Sequence, residues 1–117
     1  MPIEVRRKQE VPQVEHLSPG LRFVEANFSS RSMDCGIGQI FGRYPSEGYA
    51  ILDSDMMAIV LQGYAIIEEE GATSQELGPY DRVYIPAGTR YCWRQAGDEE
   101  TLIFASNSPP FDPAKRK

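Results

Sequence analysis

Asp53 and Asp55, spaced by Ser54, are the pair in this sequence most suggestive of acid-base chemistry. In an extended segment alternate residues point the same way, so both carboxylates share a side. Two close carboxylates raise the pKa of one of them, which suits it to proton transfer. The competing reading is a solvated strand end or turn. A second chemistry belongs to Cys92, which Arg90 and Arg94 bracket, because neighbouring cations lower a thiol's pKa. Cys35 and Cys92 otherwise read as small buried hydrophobes and not as a bridge. Glu68 to Glu70 read as a solvated turn. A metal centre of imidazoles is beyond this chain, whose one histidine is His16.

Composition bounds what could position these groups. The chain has 117 residues, 41% of them hydrophobic, enough for one core and a single domain over 1–117. Net charge is -5 and the basic residues are scattered except at the two ends, so there is no stripe for phosphates and no nucleic-acid partner is expected. No apolar run approaches the roughly 18 residues of a membrane span and no leader pattern opens the chain, which predicts a cytoplasmic protein with no membrane partner.

Short runs rich in Val, Ile, Tyr and Phe recur between Gly, Pro, Asn and Asp breaks, and helical spacing is nowhere sustained, so the fold class is all-β. Met33 to Phe41 alternates with Gly36 and Gly38 on the second face. MMAIVLQ (56–62), Gly63 and YAII (64–67) read as two strands buried on both faces. EEEGATSQ is a charged hairpin tip. RVYIP (82–86) and RYCWRQ (90–95) flank a tight Pro-Ala-Gly turn, and TLIFAS (101–106) is a last central strand. The core is expected over 33–106, with N-terminal edge segments over 1–32 and a proline-rich tail over 107–117.

The phrase GPYDRVYIPAGTRY (78–91) resembles the second motif of the cupins, and VLQG (60–63) resembles the end of the first. The resemblance covers roughly 36–113 and implies a jelly-roll barrel, the double-stranded β-helix. Within the cupins the chain is most similar to the ethanolamine-utilisation-protein-like branch, which also lacks the histidine pair. Matching the motifs residue by residue puts the family's metal carboxylate at Met56 and its last histidine at Tyr91. The other two histidine places fall on Ala50 and Leu52 or on Tyr49 and Ile51. All are substituted, so the resemblance implies no metal and no other cofactor. Any metal would depend on oxygens of Asp53, Asp55 or Tyr91, a hard-ion site of weak affinity.

The same matching turns Met56, Ala58, Tyr91 and Trp93 toward the barrel interior, with Phe41 and Phe104 completing the expected lining. Arg90 and Arg94 then fall on the outer surface. Three functions fit such an interior. It binds a small organic ligand without metal, as sensor, carrier or accessory factor. Alternatively it is a small enzyme of the epimerase, isomerase, lyase or ethanolamine-utilisation kind, using Asp53, Asp55 and Tyr91. In the third reading the barrel is plugged and the protein acts through dimer contacts. A homodimer is expected in any case, because Met57, Ile59 and Leu61 form an apolar outer stripe that needs a cover.

Overall fold

The computed structural model describes residues 3–5, 7–10, 13–18 and 20–109, without the side chains of 10, 13–18 and 22–29. After a 3-10 turn at Lys8–Glu10 the described chain forms β1 (Gln13–Ser18), β2 (Leu21–Ser29), β3 (Asp34–Ile40), β4 (Arg43–Tyr44), β5 (Asp55–Gln62), β6 (Tyr64–Glu69), β7 (Gln75–Leu77), β8 (Arg82–Ile85), β9 (Tyr91–Ala96) and β10 (Thr101–Ser108). No described residue is α-helical. A six-stranded sheet in the order β1-β2-β3-β10-β5-β8 faces a four-stranded sheet in the order β4-β9-β6-β7. Every described pairing is antiparallel, giving the all-β jelly-roll barrel that the strand pattern and motifs predict.

Gly63 joins β5 to β6, but these strands belong to different sheets, so the glycine is a corner and not a break within one sheet. Its φ is +75°, and a Cβ there would stand 2.6 Å from the Glu100 carbonyl oxygen. Only glycine fits both the dihedral and the space. The Pro-Ala-Gly turn likewise carries the chain from β8 in the large sheet to β9 in the small one. The acidic tip between β6 and β7 does close a hairpin.

Strand β5 departs from the expectation of burial on both faces. Met56, Ala58 and Val60 are buried, while Met57 is 61% and Leu61 37% exposed. One face lines the core and the other is the outside of the large sheet. On β3 the buried face is Gly36, Gly38 and Ile40, and Cys35, Ile37 and Gln39 are half-buried on the outer side. Gly36 pairs with Ala105, and Ala105 with Ala58, so small residues cross the inner face of the large sheet. Opposite them the small sheet supplies the bulk: Tyr44, Tyr91 and Trp93 are among the largest fully buried side chains. Strand β10 runs through Ser108, so the expected tail boundary at 107 falls inside a central strand. His16 lies on β1, and its side chain is outside the described residues, as is most of the proline-rich tail.

Candidate functional site

Tyr91 and Trp93 lie two residues apart on β9 and face inward. Trp93 pairs with Tyr44 on one side and Ile67 on the other, and Tyr91 with Glu69. Tyr91 also exchanges backbone hydrogen bonds with Ala50, at 2.8 Å and 3.0 Å. Of the two registers left open by the motif, the bridge sets Ala50 beside Tyr91. Ala50 and Leu52 are buried in the core cluster with Met56 and Tyr91, whereas Tyr49 turns to the outer face of the small sheet. The four places matched to the cupin ligand positions, Ala50, Leu52, Met56 and Tyr91, therefore all belong to one buried core cluster.

This donor set does not fit a transition metal. One phenol and one thioether among two alkyl groups cannot supply the imidazoles and carboxylate that such an ion takes. Among the described residues no three of His, Cys, Asp and Glu are grouped closely enough to hold one.

The turn that aims Tyr91 is held from two sides. The Gly88 N–H donates to the Leu52 carbonyl at 2.9 Å. The Ala87 N–H donates to Asp55 Oδ1 at 2.8 Å. Asp53 and Asp55 do share a side, but it is the outer one: both are exposed, and Ser54 and Met56 between and after them are buried. Strand alternation makes this unavoidable once Met56 points inward. The aspartate pair is thus not in the barrel, and of the three acid-base candidates only Tyr91 is inside.

Two lining residues are also corrected. Phe104 alternates with the buried Ile103 and Ala105 and therefore lies on the outer face. There it borders an apolar groove of about 480 Å³ together with Met57, Ile59, Arg82, Tyr84 and Ser106. Phe41 follows the end of β3 and is 39% exposed, out of step with the inward Ile40.

Arg90 pairs with Glu70 at 2.8 Å on the surface. The cations facing Cys92 are Arg43 and Arg94, not Arg90. Burial is the largest influence on that thiol and raises its pKa, outweighing both arginines. Burial thus favours the neutral thiol of Cys92 over the reactive thiolate. Around it Glu68 accepts from Tyr49 Oη at 2.6 Å and from Arg94 Nη2 at 3.1 Å, making an ordered polar patch on the outer face of the small sheet.

Sequence reasoning missed the inner polar row. Asp34, Asn107, Met56 and Ile85 stand side by side across the large sheet, and Asn107 is buried. The signal was the alternation of Thr101, Ile103, Ala105 and Asn107 on one face of β10, masked because Ser-Asn-Ser before proline reads as a tail. Near Tyr91 the barrel rim carries a pocket of about 340 Å³ lined by Glu69, Glu70, Ala87, Gly88, Thr89 and Arg90.

Comparison with known proteins agrees with this fold. The family profile described as "EutQ-like cupin domain" matches residues 35–100. No curated protein matches the chain. Among solved structures, KdgF from Halomonas sp. is 19% identical with a TM-score of 0.67, covering 86% of this chain and 90% of its own. Pac13 of Streptomyces, described as a unique nucleoside dehydratase, is 12% identical with a TM-score of 0.73, covering 99% and 90%. Ectoine synthase from P. lautus is 9% identical with a TM-score of 0.74, covering 98% and 88%. At these identities the likeness is one of fold.

Proposed function

The chain belongs to the EutQ-like cupin domain family, and from that premise we propose that it binds a small organic molecule inside its barrel without a metal. The observation that carries this reading is the meeting of Ala50, Leu52, Met56 and Tyr91 in one buried region at the family's ligand places. The places matched to the ligands of metal-binding cupins carry three apolar side chains and one phenol here. Small-molecule sites commonly have that make-up, mostly apolar with a few placed polar groups. Met56, Ala58, Tyr91 and Trp93 form the wall. A buried indole and phenol supply large apolar faces with one polar handle each.

A second reading, catalysis, draws support from the neighbours, two of which are described as a dehydratase and a synthase. In this chain it would fall to Tyr91 as proton donor, since Asp53 and Asp55 face outward. Binding is the broader claim and is tested first. The chain has one tryptophan, so its fluorescence reports on Trp93 alone. A saturable change in that emission on adding uridine, the molecule named with the Streptomyces neighbour, or another small metabolite is the expected result. Emission and melting temperature indifferent to a broad metabolite panel would overturn the reading. Elemental analysis should find well under one equivalent of iron, manganese, nickel or zinc per chain, and a full equivalent would refute metal independence.

The homodimer is proposed on the same terms. Met57, at 61% exposure, and Tyr84, at 57%, leave the outer face of the large sheet uncovered by the described chain. Light scattering should return twice the chain mass, and a monomer mass at working concentration would reject it.

A further inference from the structure

On β10 Asn107 is only 2% exposed and faces inward beside Met56. Its amide Nδ2 donates to Asp34 Oδ1 at 3.1 Å. Its carbonyl oxygen Oδ1 is buried and has no hydrogen-bond partner among the described residues. The amide is oriented with its N–H₂ toward the Asp34 carboxylate oxygen, an acceptor, which leaves the orphan as an acceptor. A buried acceptor left unmade is costly, and an apolar side chain at this position would carry no such cost. The fold thus holds a lone-pair surface at the level where its relatives place a metal carboxylate.

We propose that Asn107 and Asp34 are the polar end of the ligand site, and that its occupant carries a hydrogen-bond donor head, an ammonium or a hydroxyl, on a small apolar body. The inference rests on the barrel-binding reading above. Asn107 offers its unpartnered acceptor oxygen on the inward face, so a carboxylate or phosphate head would bring lone pair against lone pair there. The rim points the same way: Glu69 shares the Tyr91 face by register, while the cation there, Arg90, is held by Glu70. The apolar body would lie against Met56, Ala58 and Trp93, with Tyr91 beside the head.

The test uses three probes of one size, n-butylammonium, n-butanol and butyrate. Trp93 emission reads occupancy of the wall, and the Asn107 side-chain amide resonance reads the polar end. Butylammonium and butanol should both move the Asn107 resonance, and butyrate should bind at least about tenfold more weakly than butylammonium. Asn107→Leu should fold with an unchanged or higher melting temperature yet lose that selectivity, as should Asp34→Asn, whose side chain is only half-buried. Probes that change Trp93 emission equally in wild type and both variants would overturn the polar end while leaving the barrel site standing. Tightest binding of butyrate would overturn the donor-head assignment. Silence of all three probes at both reporters would overturn the inference, and a metabolite hit at Trp93 without them would show that the barrel reading survives it.

Discussion

Asp55 Oδ1 accepts a 2.8 Å hydrogen bond from the backbone N–H of Ala87, so the carboxylate that the sequence offers as an acid-base group is a clamp on the turn aiming Tyr91. Asp55→Ala should therefore lower stability by about 1 kcal/mol, the usual net worth of one such bond. Asp55→Asn keeps an acceptor oxygen and should cost less. Neither should abolish ligand binding. Chemical denaturation of both variants checks this, and an Asp55→Asn protein of full stability that no longer binds would restore Asp55 to the site.

Tyr49 titrates late. Its hydrogen bond to Glu68 is the largest influence raising the phenol above 10.0, followed by burial and the Glu68 charge. A folded-state pKa above the unfolded one means the folded protein holds this proton more tightly. The stability from the contact is then fully present below pH 10 and is lost as pH rises through the raised value. NMR titration of the Tyr49 ring should give a midpoint above 10 that falls toward 10 in Glu68→Gln. A Tyr49 midpoint at or below 10 in the wild type would contradict the geometry.

The two thiols should separate kinetically. Cys35 is half-buried on the outer face of the large sheet, and Cys92 is buried beneath the polar patch of the small one. Burial, the largest influence on Cys92, keeps its thiol protonated against the pull of Arg43. Ellman's reagent should modify Cys35 first in the native protein and reach Cys92 mainly on unfolding. Because the folded pKa is raised, this burial stabilises the fold below the unfolded thiol pKa, and the contribution fades as pH climbs through the folded value. Equal native rates for Cys35→Ser and Cys92→Ser variants would refute the burial account.

The barrel was legible because its punctuation is local. The Pro86-Ala87-Gly88 turn, the acidic hairpin tip and Gly63 mark element ends from residue type alone. Which way a strand faces is a non-local fact. On β10 and β5 both faces carry apolar residues, so Phe104 drew the interior assignment by size although Ile103 and Ala105 hold it. On β3 the inner face is Gly36 and Gly38, which give no hydrophobic signal at all. Asp53 and Asp55 were decidable: fixing Met56 inward through the motif fixes both aspartates outward. Asn107 was hidden because a polar residue at a strand end is ordinarily solvated, and here pairing with β3 buries it.

Ala58 decides between an open and a plugged barrel. It is 5% exposed, sits in register with Ala105 and Val83, and belongs to the wall across from the aromatic residues of the small sheet. Ala58→Leu adds three carbon atoms to that inner face. In a filled core the addition forces strained rotamers and costs about 1–3 kcal/mol. In an open site the new side chain occupies the ligand's space, gains apolar contacts and leaves stability within about 1 kcal/mol of wild type, while binding is lost. The proposed function predicts the second outcome. Denaturation midpoints and Trp93 titrations on the same variant read both quantities. A variant destabilised beyond that range would show that the aromatic side chains already fill the barrel and that the protein works through its surface.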